Sequence, residues 1–266
     1  MRGTQIGSVG ERELQERYGT QDRAQRFYDD QVLDRLNAAM IEFIGRMDMA
    51  FIATADKRGE CDASFRAGLP GFLHVIDERT IAYPEYRGNG VMASLGNILE
   101  NPHVGILLID FVQDLIGLHI NGSARIVADP ALRGAVTDLP PNHHGRVAQH
   151  WVVIDIEEAY IHCRKHIPHL VPATREQREW GTDNMRAKGG DYFGAKAQNR
   201  DAGPVPAHPL TASAPVPRPL DVPRPLDVPR PLDASDRSVP ILKMTRRWTT
   251  KLMTVAVPWA TTKASG

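Results

Sequence analysis

Cysteine is scarce in this 266-residue sequence, and no apolar run is long enough to cross a membrane. The two cysteines, Cys61 and Cys163, lack CxxC spacing and a disulfide-rich pattern, so we expect a reducing, cytoplasmic setting. The N-terminus lacks the apolar core of a signal peptide. Lys plus Arg and Asp plus Glu each number 32, so no net positive field favours nucleic acid as a partner. These absences predict a soluble cytoplasmic protein with no membrane partner.

Motifs for hydrolysis and for metal binding are also missing. The sequence has no GxSxG motif, and its serines and cysteines lack neighbours that would activate them. Ten histidines are present, and His162 and His166 have the i, i+4 spacing of a helical ligand pair. However, their segment begins with the pattern of a strand and contains Pro168, so we expect no metal site. No side chain is assigned as catalytic.

The chain begins with a polar segment and a predicted helix. Residues 1–20 are polar, and we expect them to be flexible. From Asp22 onward apolar residues recur at steps of three and four, which places them on one face of a helix. These residues are Val32, Leu33, Leu36, Met40, Phe43, Ile44 and Met47. We expect this helix to open a folded domain that covers residues 21–195.

Beyond this helix the apolar pattern becomes that of strands. Seven short segments are alternating or continuously apolar, and turn residues separate them. They cover 49–56, 61–65, 71–77, 80–86, 103–111, 117–127 and 150–163. Most connections are short turns with little room for βαβ crossovers, and short helices are expected at 92–100 and from Pro130. The sequence therefore predicts a mainly β fold, a six- to seven-stranded antiparallel barrel with flanking helices.

The composition changes near residue 196. The hexapeptide VPRPLD is repeated three times over residues 216–233, and its prolines remove the backbone donors of helix and sheet. We expect residues 196–240 to be a disordered or semi-rigid linker, with a PxxP ligand role as the alternative. Residues 241–266 form a C-terminal tail that is weakly amphipathic. This tail is either a frayed terminus or a segment that docks onto a partner.

The turn at residues 88–90 has the composition of an anion-binding site. Gly88 and Gly90 allow positive φ and a close backbone approach, and Asn89 tolerates the left-handed region. The helix predicted at 92–100 follows, and its free N–H groups favour a phosphate. The turn matches neither the P-loop nor the dinucleotide GxGxxG motif, so an anion cradle and plain loop punctuation both remain open. The polar side chains nearby are Arg66, Arg87 and Ser94.

Three segments of the sequence resemble a known family. They read TIAYPEYRGNG, SLGNILENPHVGILLIDF and INGSARI. With their surroundings over residues 30–165, they resemble the pyridoxamine 5'-phosphate oxidase-related family of FMN-binding split barrels. The resemblance implies a homodimer that binds FMN in a cleft between its subunits. It also implies an FMN-dependent oxidoreductase that acts on a small molecule by hydride transfer through flavin N5.

The resemblance also implies which residues contact the flavin. Residues 73–75 would line the isoalloxazine through their main chain, and Tyr83 and Pro84 stand where the family has a Tyr-Thr pair that meets the ring. The segment 89–94 falls in the region that binds the phosphate. The implied cofactor-binding residues are Arg66, Leu73, His74, Val75, Tyr83, Pro84, Arg87, Asn89, Gly90 and Ser94.

The sequence departs from the oxidase itself in three places, one of which is Pro70-Gly71 where the oxidase has an Arg that opens the strand before the phosphate turn. YRGNGVMAS replaces the oxidase's Ser-Arg-Lys at the phosphate turn, and the Arg-Leu-x-x-Arg substrate motif is missing. We therefore expect a small-molecule substrate other than pyridoxamine phosphate, with NAD(P)H or a reductase as electron donor. One alternative is a carrier that binds flavin, deazaflavin or haem without turnover, and the histidines at 162–169 are the feature that favours haem. A scaffold with an empty barrel is the other alternative.

Overall fold

Seven strands and six helices make up the part of the chain that the computed structural model describes, residues 6–143, 146–172, 184 and 189–202. The strands are β1 (Met49–Ala55), β2 (Cys61–Ala67), β3 (His74–Asp77), β4 (Thr80–Tyr86), β5 (His103–Ile109), β6 (Gly117–Ala128) and β7 (Ala148–His162). The helices are α1 (Val9–Tyr18), α2 (Gln21–Gln31), α3 (Ala38–Arg46), α4 (Ala93–Glu100), α5 (Asp129–Ala135) and α6 (Ala195–Ala202). All described residues belong to the unit Met1–Ser213. The second unit, Ala214–Gly266, contains the VPRPLD repeats and is not among the described residues.

All seven strands form one antiparallel sheet in the order β2-β1-β5-β6-β7-β4-β3. β6 and β7 share the longest ladder, which runs from Gly117↔His162 to Ala128↔His150. β2 and β3 are the two edges, so hydrogen bonds among the described strands do not close the sheet into a complete cylinder. This architecture confirms the predicted fold class, a mainly β, seven-stranded antiparallel split barrel with flanking helices.

Two apolar clusters lie on opposite faces of this sheet. The larger cluster fills the inside of the barrel and includes Ile52, Ile106 and Ile154, each at most 1 % exposed. The smaller cluster lies outside β4 and β7 and joins Trp151 to Leu132 of α5. Alternate residues of a strand point to opposite faces, so β4 and β7 supply both clusters. Burial of each large apolar side chain stabilises the fold by about 1.5–3 kcal/mol.

The single helix predicted from Asp22 to Met47 is wrong, because the helix is broken in its middle. α2 ends at Gln31 and α3 begins at Ala38. Between them the N–H of Leu33 donates to the carbonyl of Ala159 at 3.0 Å, and the Ala159 N–H donates back at 2.8 Å. The apolar spacing continues through the break, but pairing with β7 satisfies the backbone of Leu33 in place of a helical hydrogen bond.

Two further elements differ from the sequence-based expectation. β3 begins at His74 and not at residue 71, because Gly71 adopts φ +80° and the Phe72 N–H donates to the Leu69 carbonyl in a turn. Residues 9–18, expected within a flexible segment, form α1, and the hydroxyl of Ser8 caps this helix by accepting from the Glu11 N–H. Whether residues 1–20 are flexible stays a prediction.

The helices of the described residues are short or polar. None of them is long and apolar enough to cross a membrane. Helix α6 occupies part of the range in which we expected the linker to begin.

Candidate functional site

An ion pair joins the two sides of the split in the barrel. Arg66 of β2 donates from Nε and Nη2 to Oε1 of Glu85 in β4, at 3.0 and 2.7 Å. These strands lie toward opposite ends of the sheet order, so the contact shows that the sheet curls back on itself. Both side chains are mostly buried, with 23 % and 12 % exposed. The positive charge of Arg66, which is a candidate partner for a phosphate from the sequence alone, is therefore already balanced by the carboxylate of Glu85.

Tyr83 points into the barrel beside this ion pair. Its side chain has no exposed surface, and its hydroxyl has no hydrogen-bond partner among the described residues. Burial raises the pKa of the Tyr83 hydroxyl, and the Glu85 carboxylate adds to this effect while Arg66 opposes it. The side chain of Tyr83 packs in the core in this structure, and its predicted contact with the flavin stays a prediction.

The hairpin of β3 and β4 carries the other residues expected to line the flavin ring. His74 pairs with Ala82 and Val75 pairs with Ile81 across this hairpin. Leu73, immediately before β3, is buried in the core. Burial lowers the pKa of the half-buried His74 imidazole, so this side chain is neutral at pH 7.

The turn that follows β4 is built differently from an open anion cradle. Positive φ occurs at Gly90 (87°) and Met92 (57°), so of the turn residues 88–90 only Gly90 uses the left-handed freedom that the sequence permits. The Oδ1 atom of Asn89 accepts a hydrogen bond from the Val91 N–H at 3.0 Å. This side-chain turn holds Asn89 in place without a positive φ and occupies an N–H that an anion cradle would use.

The first turn of α4 already faces an anionic side chain. Ser94 is buried, and its hydroxyl donates to Oδ2 of Asp62 at 2.9 Å. The hydroxyl of Ser64 lies 3.0 Å from the same oxygen of Ser94. The carboxylate of Asp62 interacts favourably with the helix dipole and would repel a phosphate placed beside it.

A cleft opens on the outer side of β4, next to the smaller apolar cluster. Its apolar walls are the rings of Pro84, Tyr86 and Trp151, together with the turn at residues 69–72. Its polar side chains come from α5 and from the loop before β7. They are Arg133, Asn142, His143 and Arg146. None of the described residues that line this cleft is acidic.

A hydrogen-bonded network fixes the polar side of the cleft. Arg133 Nε donates to both carboxylate oxygens of Asp129, at 2.9 and 3.0 Å, and Trp151 Nε1 donates to Oδ1 of Asp129 at 2.8 Å. Burial raises the pKa of Asp129, but the hydrogen bonds from Trp151 and Arg133 outweigh it and lower this pKa overall. Asn142 Oδ1 accepts from Arg133 Nη2 and from the Ala148 N–H, both at 3.1 Å. The loop is therefore held before any ligand binds.

The structure distributes the ten predicted residues over five places, one of which is the β3–β4 hairpin with Leu73, His74 and Val75. Pro84 lines the cleft, whereas Arg66 and Tyr83 lie at the split and Ser94 packs against β2. The predicted residues of the turn, Arg87, Asn89 and Gly90, are exposed. Sequence reasoning missed the polar residues of the cleft, because the segment from 133 to 146 has no periodicity or motif and meets β4 only in the folded chain.

His162, one of the histidines that drew attention in the sequence, pairs with His119 on the outside of the sheet. His119 Nε2 lies 3.0 Å from His162 Nδ1, and the His119 ring stacks on Tyr160 with centroids 4.8 Å apart. Burial lowers the pKa of His119, and His162 lowers it further. The described residues contain no cluster of three or more His, Cys, Asp or Glu side chains that would hold a metal ion.

The sheet defines a class of protein, the antiparallel split barrel, and the cleft beside its β3–β4 hairpin is the candidate binding site. Residues 36–163 match the family model of pyridoxamine 5'-phosphate oxidase. Over these residues, which are just under half of the chain, the barrel is therefore similar to the pyridoxamine 5'-phosphate oxidase family.

Three of the solved structures with similar folds illustrate the sequence identity and the coverage of the matches. HupZ from Group A Streptococcus is 23 % identical with a TM-score of 0.37, over 47 % of this chain and 91 % of that chain. A putative pyridoxamine 5'-phosphate oxidase from Lactobacillus delbrueckii is 19 % identical with a TM-score of 0.37, over 49 % and 98 %. An F420 reductase is 19 % identical with a TM-score of 0.31, over 45 % and 93 %. Identities and TM-scores this low carry no functional argument, and no curated protein matches the chain.

Proposed function

We propose that this protein binds FMN and acts as an FMN-dependent oxidoreductase on a small molecule. The observation that supports the proposal is the cleft beside Pro84 and Tyr86. This cleft lies at the end of the hairpin that the family resemblance assigns to the flavin ring. It combines aromatic and proline surfaces with basic side chains, as a planar ring that carries a phosphate requires.

The edge position of β3 gives the main chain of residues 74–77 a way to bind the ring. β3 pairs with β4 on one side, and no described strand pairs with it on the other. Backbone groups on the free side of an edge strand can bond to a ligand as they would to another strand. This arrangement supports the predicted main-chain contacts at His74 and Val75.

The chain's own side chains position the cofactor, and the cofactor carries the redox chemistry. A bound flavin supplies two-electron transfer through its N5 atom. Trp151 and Pro84 provide flat apolar surfaces at the cleft, and the neutral imidazole of His74 can donate one hydrogen bond and accept another. The substrate and the electron donor, NAD(P)H or a reductase, belong to the proposal as classes.

We also propose that the protein is a homodimer, which would complete the cleft with a second copy. A row of side chains crosses the outside of the sheet through paired positions, and its members are Phe65, Phe51, Leu107, His119 and Tyr160. Phe51 and Phe65 are 42 % and 53 % exposed, and their rings lie 5.6 Å apart. Exposed aromatic residues arranged in a row are typical of an interface.

A titration with flavin tests the proposal. Purified protein, freed of bound cofactor, should bind FMN and quench its fluorescence, and the complex should show the visible spectrum of an oxidised flavin. A protein that binds neither FMN nor riboflavin would refute the proposal, and a Soret band after haem addition would favour the haem carrier instead.

Turnover is tested separately from binding. The FMN complex is reduced with NADH or NADPH under nitrogen, and acceptors such as dioxygen are then added. An enzyme is expected to reoxidise faster than free FMN at the same concentration. A complex that binds FMN tightly but matches free FMN in rate would be a carrier.

A further inference from the structure

Several of the groups near the predicted phosphate site already have hydrogen-bond or ion-pair partners within the fold. The Val91 N–H bonds to Asn89, and the Ser94 hydroxyl bonds to the carboxylate of Asp62. Arg66 is paired with Glu85 in a mostly buried contact. A phosphate at the start of α4 would therefore displace internal hydrogen bonds and lie beside a carboxylate, which costs free energy on both counts.

The cleft offers positive charge without a carboxylate among the described residues of its lining. Arg133 and Arg146 both line it, and the charge of Arg133 is balanced from behind by Asp129. The positive charge of Arg146 acts on the neighbouring Tyr86 hydroxyl, where it opposes the rise in pKa that burial causes. The guanidinium of Arg146 thus lies toward Tyr86, at the mouth of the hairpin that we assign to the flavin.

Two backbone hydrogen bonds join Arg146 to His143. The Arg146 N–H donates to the His143 carbonyl at 2.8 Å, and the His143 N–H donates to the Arg146 carbonyl at 3.3 Å. Asn142, at the start of this turn, bonds to Arg133 and to the backbone of Ala148. Hydrogen bonds that already order the backbone of a binding residue reduce the entropy lost when it binds an anion.

From this geometry we propose that Arg146, with Arg133 behind it, binds the phosphate of FMN in the cleft. The proposal rests on the proposed function and adds the residue that selects a phosphorylated flavin over an unphosphorylated one. A guanidinium offers two parallel N–H donors to phosphate oxygens, and the described residues of the lining add no carboxylate that would repel the phosphate. Pro84 and Tyr86, which also line the cleft, would contact the remainder of the ligand.

Paired titrations with FMN and riboflavin test this assignment, because the two ligands differ in the phosphate alone. The full-length protein should bind FMN at least about tenfold more tightly than riboflavin. Arg146→Gln should weaken FMN binding about tenfold or more and change riboflavin binding less than about twofold. Arg146→Lys keeps the charge without the paired donors, and it should give an intermediate FMN affinity.

Arg125→Gln is the matched control for the charge change. Arg125 is 55 % exposed on β6 and is paired with Asp155, away from the residues that line the cleft. This variant should keep the preference of the wild type for FMN. Thermal denaturation followed by circular dichroism checks that every variant is folded, and Arg146→Lys decides the matter if Arg146→Gln does not fold.

Each other outcome would overturn the assignment of the phosphate to Arg146. Equal affinity of the wild type for both flavins, or an equal loss of both in Arg146→Gln, would show that Arg146 does not bind the phosphate. Loss of the FMN preference in Arg87→Gln and Ser94→Ala, with retention in Arg146→Gln, would place the phosphate at the turn after β4. In these cases the proposed function survives. A wild type that binds neither flavin would refute both proposals.

Discussion

Asp110 shows at the residue scale how this fold keeps a carboxylate away from water. Its side chain is 5 % exposed, and its oxygens accept the N–H groups of Val112, Gln113 and Asp114 at 2.9 to 3.1 Å. Arg46 Nη1 donates to it at 3.0 Å. Burial raises the pKa of Asp110, but the backbone hydrogen bonds and Arg46 lower it overall. The ionised form of Asp110 is therefore part of the folded structure.

We predict that Asp110→Asn lowers the free energy of unfolding by about 1–3 kcal/mol at pH 7. Because the pKa of Asp110 is lower in the folded state, its contribution is complete above the unfolded pKa and is lost as the pH falls through the folded value. The difference between wild type and variant should therefore shrink below about pH 4. Urea denaturation at several pH values measures it.

The control for this measurement is Asp155→Asn. Asp155 is 61 % exposed, and its ion pair with Arg125 lies at the surface. Surface ion pairs contribute about 0–1 kcal/mol, so this variant should have a small effect on the free energy of unfolding. A difference for Asp110→Asn that stayed constant from pH 7 to pH 3 would contradict the role given to its charge.

Tyr83→Phe is the second prediction at this scale. The Tyr83 hydroxyl has no hydrogen-bond partner among the described residues, so its removal costs no hydrogen bond to them and relieves a buried polar group. We expect the free energy of unfolding of the flavin-free protein to stay within about 0.5 kcal/mol or to rise. Chemical denaturation measures it, and a loss above about 1 kcal/mol would show that the hydroxyl is bonded.

At the scale of one element, hydrogen bonds from polar side chains hold helix α4 against the sheet. Ser94 bonds to Asp62 of β2, and Asn97 Nδ2 donates to Oγ1 of the buried Thr54 in β1 at 3.0 Å. The helix has eight residues and no side-chain cap, so its own backbone hydrogen bonds would not maintain it in water. These two hydrogen bonds and the burial of Ile98 therefore stabilise the helical conformation of the segment.

Two glycine-to-alanine substitutions test the backbone conformation of α4 and of the turn before it. Gly96 lies inside α4, and a Cβ added there would meet no atom of another element within 4 Å, so Gly96→Ala should raise the free energy of unfolding by about 0.5–1 kcal/mol. Gly90 has equal space but φ +87°, so Gly90→Ala should lower it by about 1 kcal/mol. Thermal melts of the flavin-free proteins compare the two, and equal effects would contradict the assigned conformations.

At the largest scale that the structure describes, the barrel is a sheet that curls without closing. The contact between Arg66 and Glu85 draws β2 toward β4, and β3 remains an edge strand whose other side pairs with no described strand. The outside of the sheet keeps an exposed aromatic row, which includes Phe51 and Phe65. A second copy of the chain is the partner that we propose for this row.

We predict that the protein is a dimer and that the double variant Phe51→Thr, Phe65→Thr is a monomer. Threonine keeps the strand propensity while it removes most of the apolar area from the row. Sedimentation equilibrium at micromolar concentrations measures the mass. Phe193→Thr is the matched control, because Phe193 is 88 % exposed and lies outside the row. A monomeric wild type, or a dimeric double variant, would contradict the assignment of the interface.

The strands of the barrel were predictable from local pattern, whereas the site was predictable in part. Alternation in β6 and β7 placed Leu118, Ile120 and Ile154 on the core side, and these residues are buried there. The break between α2 and α3 was not predictable, because a long-range pairing with Ala159 causes it. The polar residues of the cleft also escaped prediction, since Arg146 and Pro84 are 62 residues apart in the chain.

The sequence by itself determined the strands, their antiparallel arrangement and the resemblance to a flavin-binding family, because these depend on local periodicity and short turns. The tertiary structure decided which charges are available to a ligand. Arg66 and Ser94 looked suited to a phosphate in the sequence, but folding brings Glu85 and Asp62 against them. Whether an ionic group binds a ligand depends on the charges that lie near it in space, and neighbours in the sequence do not reveal them.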